Sequence, residues 1–348
     1  MSAIEVALLG YGYAGRTFHA PLLGAVPGLR LHTVVSSDPA RVGADLPAVR
    51  VLADAQAACA DPAIGLVVIA TPNATHAPLA RLALEAGKHV VVDKPFALDL
   101  AEARGLAELA RARGRLLSVF HNRRWDADFI GLRALLEAGA LGDVTYFESH
   151  FDRYRPAVRP RWREQAGPGG GLWADLGPHL LDQALLLFGR PEALYADLAR
   201  QRDGAQADDW FHVVLRYARR RVVLHAGSLA SAATLRYVVH GTRASFIKHG
   251  VDTQEADLKA GRRPGADGWG RDPHPGELTR MVDDAALGET VDAATGDYRR
   301  YYAGLRDAFL HGTAPPVTSG EALQVMELLD LAVASHAKRA ELPLPAAG

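Results

Sequence analysis

Cysteine is nearly absent from this chain: Cys59 stands alone among 348 residues. A single thiol excludes an internal disulfide and any cysteine-based metal cluster. Net charge is also missing. The formal value is −1, so no global field draws the chain to nucleic acid, an anionic membrane or an acidic ligand. No apolar stretch approaches the ~20 residues that a membrane helix needs. The first residues, Met1-Ser2-Ala3-Ile4-Glu5, carry no basic segment ahead of an apolar one. A secretory leader is therefore not expected, and a cytoplasmic location is. Lysine is scarce, five against 34 arginines. A GC-rich genome accounts for that without any arginine-specific function.

What is present is ordinary in amount. Apolar residues make up 49% and charged residues 23%, as in globular proteins generally. The length suits two domains better than one. Up to about residue 120, short apolar runs alternate with helix-length segments. Strands are expected over 4–9, 31–35, 66–70, 89–92 and 116–120, with helices over 14–26 and 77–86. Strands alternating with helices imply right-handed crossovers and a parallel, doubly wound sheet. The pattern changes after about Asn122. A helix over 128–138 is followed by strand-like runs over 144–150, 210–217, 222–229, 235–240 and 245–247. Their spacing predicts an antiparallel sheet and an α+β domain. Residues 251–276, rich in Gly, Pro and charge, read as a surface loop. An amphipathic helix is expected over 321–340, and a frayed tail over 343–348.

Gly10-Tyr11-Gly12-Tyr13-Ala14-Gly15 matches G-x-G-x-x-G after a strand and before a helix. In that pattern the first glycine permits a tight turn, the second lets backbone approach a pyrophosphate, and the third allows close helix–strand packing. Free N–H groups at the helix start then attract the phosphates. The second strand leads into Ser36-Ser37-Asp38, with Arg41 one turn later. A carboxylate at this strand's end would hold the ribose hydroxyls of NAD. Ser36, Ser37 and Arg41 suit the 2′-phosphate of NADP better, provided Ser37 takes that position; with Asp38 there, NAD becomes acceptable. The same residues could instead only cap a helix. Thr71-Pro72-Asn73, with His76 close behind, and Asp93-Lys94 each follow a strand at the edge where open α/β sheets bind ligands. His76 could touch the dinucleotide or merely sit at a helix start. Lys94 could donate to a substrate oxygen or pair with Asp93. Asp175 and His179, four apart, share one face if helical. The carboxylate would then orient the imidazole as a general base, unless His179 is a capped core histidine. Residues 152–163 set five arginines among Tyr154 and Trp162. Near-neutral charge elsewhere favours the rim of a cleft over a nucleic-acid surface.

Together, in this order, these motifs resemble the Gfo/Idh/MocA oxidoreductase family, with Asp93 where the family usually has Glu. The runs Ser118-Val119-Phe120-His121-Asn122-Arg123-Arg124-Trp125 and Phe147-Glu148-Ser149-His150-Phe151-Asp152-Arg153 are similar to the branch containing NADP-dependent scyllo-inositol 2-dehydrogenase. The resemblance implies an α/β protein. A Rossmann domain over 1–122 is joined to an α+β domain over 123–348 with a large, open, mostly antiparallel sheet, and the site lies between them. It implies catalysis by Lys94, Asp175 and His179. It also implies a dinucleotide held by the glycine loop, Ser36, Ser37, Arg41, Thr71, Pro72, Asn73, His76 and Lys94. Asn122, Arg123, Asp152, Tyr154 and Trp162 become candidates for binding a cyclic polyol or sugar. The expected cofactor is NADP, with NAD possible. No metal is expected, since a hydride acceptor and a base suffice for alcohol oxidation. A homodimer or homotetramer through the second sheet is expected, with no nucleic acid or membrane partner. A non-catalytic dinucleotide sensor, or a reductase of an aldose or anhydro sugar, are the alternatives.

Overall fold

The computed structural model describes residues 3–232 and 234–344, the side chain of Trp162 excepted. By internal contact the chain falls into two compact units. Unit one takes Met1–Trp125, Thr253–Trp269 and Asp297–Met326; unit two takes Asp126–Asp252, Gly270–Gly296 and Glu327–Gly348. The chain therefore leaves unit one after Trp125 and returns to it twice.

Unit one is built on β1 (Ile4–Leu9), β2 (Leu29–Val35), β3 (Arg50–Leu52), β4 (Leu66–Ile69), β5 (His89–Val92) and β6 (Leu117–Val119). All pair in parallel, in the order β3-β2-β1-β4-β5-β6. Residues of β4 and the last three of β5 are almost wholly buried. Such unbroken apolar runs are what strands covered on both faces require. This is the expected doubly wound sheet. The strand order reverses between β1 and β4, which is where such sheets hold ligands.

The expected surface loop over 251–276 is corrected in part. Gln254–Lys259 form a helix. Leu258 and Trp269, each 5% exposed, join the core around Val6, Leu8 and Leu22. Glycine, proline and charge set the average composition of this stretch. Two apolar side chains decide its position, and burying each is worth about 1.5–3 kcal/mol or more. The helix Arg299–His311, which periodicity did not show, inserts Tyr301 and Tyr302 into the same core.

Unit two is built on β7 (Val144–His150), β8 (Ala193–Ala199), β9 (Trp210–Arg216), β10 (Arg221–Gly227), β11 (Leu235–Gly241), β12 (Ser245–His249), β13 (Gly276–Val282), β14 (Ala285–Val291) and β15 (Leu342–Pro343). They form one sheet in the order β14-β13-β12-β11-β7-β10-β9-β8-β15. Among the described residues, only β7 and β10 pair in parallel in this sheet, so it is mostly antiparallel, as expected. Phe211, Val213 and Leu215 of β9 are buried, while Trp210, His212 and Val214 are half-exposed. That alternation gives the sheet one core face and one wetter face. The helix Leu172–Phe188 packs against β9 and β10. Pro343, expected in a frayed tail, instead pairs with Ala193 of β8; residues 345–348 lie outside the described residues. Among the described residues, no helix is long and apolar enough to cross a membrane.

Candidate active site

The three glycines of the first turn have three different surroundings. Gly10 has φ +96°, and a Cβ there would stand 2.6 Å from the Ala70 carbonyl oxygen. Gly15 packs so closely that a Cβ would come within 2.1 Å of the Gly10 oxygen. A Cβ on Gly12 would meet no atom of the described residues within 4 Å. Turn, open approach and tight packing thus fall in the order a pyrophosphate cradle requires. Tyr11 is buried. Burial, then Asp45, push its hydroxyl up to about 12. Ala14 leads into a π turn over Gly15–His19 that continues as α-helix over Ala20–Gly24.

Tyr13 is tied to the segment that returns late in the sequence. Its hydroxyl donates to Glu255 Oε1 at 3.0 Å. Arg123 Nη2 donates to Glu255 Oε2 at 2.7 Å, and Lys259 Nζ lies 2.7 Å from Oε1. Burial alone would raise the Glu255 carboxyl, but Arg123 and Lys259 hold it down at about 2. Because the folded value lies below the ordinary one, its stabilisation is present above about pH 4.5 and is lost as pH falls toward 2. At neutral pH that shift corresponds to at most about 3 kcal/mol. Thermal melts of wild type and Glu255→Gln should therefore differ most near neutral pH and converge only toward pH 2. A constant difference would remove Glu255 from this role. Arg123, a candidate for substrate, is thus engaged by Glu255. Asn122 is buried at the start of the same turn.

Strand β2 ends at Val35. Ser36 Oγ accepts from the Asp38 N–H at 3.1 Å. Asp38 is the N-cap of the helix Pro39–Asp45, accepting from the Arg41 N–H at 3.0 Å, and its other oxygen pairs with the Arg41 guanidinium at 3.1 Å. Ser37 and Arg41 are exposed.

The loops after β4 and β5 are braced to each other. His76 is 1% exposed. Its Nδ1 lies 2.8 Å from the Pro95 carbonyl oxygen, and its Nε2 3.0 Å from that of Thr71. The structure therefore gives His76 a bracing position between Thr71-Pro72-Asn73 and Asp93-Lys94-Pro95. Asn73 is buried beside it. Asp93 accepts from the Lys94 N–H at 2.8 Å. Its other oxygen faces His19 at 3.9 Å, and His19 in turn lies 2.6 Å from the Tyr302 hydroxyl. Burial would raise the Asp93 carboxyl, but His19, Lys94 and His76 outweigh it and hold it below the usual range. Lys94 itself is half-buried.

In unit two, the helix Leu172–Phe188 carries Asp175 in its first turn and His179 one turn later, 6% exposed. Asp208 starts that helix. It accepts from the Trp173 N–H at 2.6 Å, while its carbonyl accepts from the Leu172 N–H at 2.8 Å. Two glycines make this possible: a Cβ on Gly171 would meet Asp208 Oδ1 at 2.0 Å, and one on Gly177 would meet the Trp173 ring at 2.6 Å. Arg153 and Arg163 flank Asp175 at 3.8 and 3.7 Å. They line a small polar pocket of about 20 Å³ with Arg155, Arg161, Arg202 and Glu164.

Asp152 does not join this group. It accepts from the Gly227 N–H at 2.7 Å and meets His150 and His225 at 3.0 and 3.5 Å. Tyr154 is 59% exposed beside Leu229. Trp162 lies in a short 3-10 turn, Trp162–Glu164. His19 and Glu255 are absent from the expectations. No local motif marks either one; Tyr302, the partner of His19, and Tyr13 and Arg123, partners of Glu255, lie more than a hundred residues away.

A family model described as the NAD-binding Rossmann fold of the GFO_IDH_MocA oxidoreductase family matches residues 4–121, and its C-terminal alpha/beta partner matches 133–344. The uncharacterized oxidoreductase YdgJ of Escherichia coli is 54% identical over 98% of this chain and 99% of its own. IolW of Bacillus subtilis, a scyllo-inositol 2-dehydrogenase (NADP(+)), is 38% identical over 99% and 97%. Among solved structures, the YPO2259 putative oxidoreductase of Yersinia pestis superposes with a TM-score of 0.97 at 55% identity, covering 100% of this chain and 99% of its own.

Proposed function

The chain belongs to the Gfo/Idh/MocA oxidoreductase family, and from that premise we propose that it moves a hydride between NADP and a ring carbon of a cyclic polyol or sugar, scyllo-inositol or its inosose first. The match to IolW over nearly the whole chain carries the substrate reading. The glycine cradle supports the cofactor: Gly12 leaves open the space that a pyrophosphate needs.

When bound, the nicotinamide supplies the acceptor or donor of the hydride. His179 takes the hydroxyl proton during oxidation and returns it during reduction. Asp175, one turn earlier on the same helix, favours the imidazolium that results. Lys94 donates to the reacting oxygen as negative charge develops on it. Exposed Met281, Val282 and Leu287 on β13 and β14 support association of copies through the second sheet, as a homodimer or homotetramer.

NADP is preferred because Asp38 is committed to capping its helix, while Ser37 and Arg41 stand exposed nearby. Arginine presents a planar donor suited to phosphate. Such a contact is worth about 1.5–3 kcal/mol, roughly ten- to a hundredfold in affinity. Steady-state kinetics with both cofactors over a polyol and sugar panel test the proposal. Arg41→Ala should raise KM for NADP by that factor and leave NAD little changed. An equal or better kcat/KM with NAD in the wild type would refute the cofactor preference. A much higher kcat/KM for an aldose would move the substrate, and dinucleotide binding without any turnover would point to a sensor.

A further inference from the structure

We propose that unit two carries a binding site for one divalent transition-metal ion, made by His150, Asp152 and His225 on the half-exposed face of its sheet. Strands β7 and β10 are parallel neighbours, and His150 stands in register with His225. Beyond β7 the ladder continues: the Phe151 N–H donates to the His225 carbonyl at 2.9 Å, and the Arg153 N–H to that of Gly227 at 3.0 Å. A strand period of two then returns Asp152 to the face of His150. One donor atom from each of the three residues lies within 4.8 Å of the others.

The spacing suits a metal. Asp152 Oδ2 is 3.0 Å from His150 Nδ1, and Asp152 Oδ1 is 3.5 Å from His225 Nε2. Two donors bonded at ~2.1 Å to a tetrahedral ion stand about 3.4 Å apart, so small side-chain adjustments admit one. The outer partners are also in place. His150 turns its Nε2 to Glu148 Oε1 at 2.8 Å, and Glu148 accepts from the Tyr146 hydroxyl at 2.8 Å. A carboxylate on the far nitrogen of a ligating imidazole fixes its orientation and strengthens it as a ligand. Asp152 is fixed by the Gly227 N–H, and His225 by the Trp210 ring at 5.4 Å. Asp152 and Glu148 together carry the two negative charges that balance a dication.

Two imidazoles and one carboxylate favour zinc, cobalt, nickel or copper over magnesium or calcium. Three protein ligands leave a position for water. This site is separate from the proposed hydride chemistry. Asp152 and Arg153 are adjacent in an extended segment and point to opposite sides, and it is Arg153 that meets Asp175.

The test uses the full-length, tag-free protein, stripped with a chelator and titrated with Co²⁺ and Zn²⁺. Calorimetry and the visible absorption of bound Co²⁺ are the readouts. The proposal expects one equivalent per chain. His225→Gln should weaken binding at least a hundredfold, and Glu148→Gln about 10–100-fold. His240→Ala, on β11, should leave binding unchanged. If His225→Gln does not fold, His150→Gln carries the same expectation. Absence of a one-equivalent site in the wild type, or equal affinity in the folded histidine variant, overturns the proposal and leaves His150 simply hydrogen-bonded between two carboxylates.

Discussion

His179→Ala should lower kcat by ~10²–10⁴-fold, the usual contribution of a positioned general base, while dinucleotide affinity stays nearly unchanged. The two readouts separate because His179 lies in unit two, whereas the glycine cradle lies wholly in unit one. Lys94→Ala should also cut turnover, since it removes a donor from the developing oxyanion. The sharper signature is the pH profile. Loss of the imidazole should flatten the limb of kcat/KM that rises near its titration, whereas loss of Lys94 should leave that limb in place. Near wild-type turnover in both variants would defeat the catalytic reading. Wild-type turnover in His179→Ala alone would return His179 to the core of its helix.

The largest loss of stability is expected from Asp128→Ala. Arg236 of β11 is 0% exposed. Its Nε donates to Asp128 Oδ2 at 2.8 Å, Nη1 to Ser149 Oγ at 2.9 Å, and Nη2 to Gln183 Oε1 at 3.0 Å. The guanidinium also stands 4.3 Å from the centre of the Tyr237 ring. Removing Asp128 leaves that charge buried without its carboxylate, which costs about 3–5 kcal/mol. For a unit of this size the Tm should fall by roughly 10 °C. Gln183 follows His179 by one helical turn, so kcat should fall as well. The double variant Asp128→Leu with Arg236→Met should recover much of the stability, because apolar replacement of a buried pair is often close to neutral. A single-variant loss below about 1 kcal/mol in denaturant unfolding would show that the pair contributes little.

Elements whose burial is continuous could be placed from sequence almost to the residue. β1, β5 and β7 have the bounds expected, because apolar runs or clean alternation identify them. The hairpin of β13 and β14 escaped notice: β14 is exposed almost throughout, so no alternation marks it. The helix Arg299–His311 opens on two arginines, which hide the tyrosines that bury it. The candidate site divides in the same way. Gly10, Gly12 and Gly15 are readable because a backbone turn needs them locally. The bracing position of His76, the partner of Asp93 and the pairing of Arg123 with Glu255 are not. Each depends on a residue brought near by the tertiary fold: Pro95 for His76, His19 for Asp93 and Glu255 for Arg123. Asp152 illustrates the limit: its neighbour in the chain faces Asp175, and the pleat alone turns Asp152 away.

The late return of the chain to unit one also bears on its synthesis. Six strands of the parallel sheet are complete by Val119, yet the core that covers β1 waits for Leu258, Trp269, Tyr298, Tyr301 and Tyr302. All but one strand of the second sheet emerge from the ribosome before that core closes. The first unit to begin therefore waits for most of the chain before it can finish. For most of translation it carries an open apolar face, and nascent chains with such faces are those that aggregate or engage chaperones. A fragment ending near residue 122 would keep the phosphate-binding turn and lose the side chains that support it from behind.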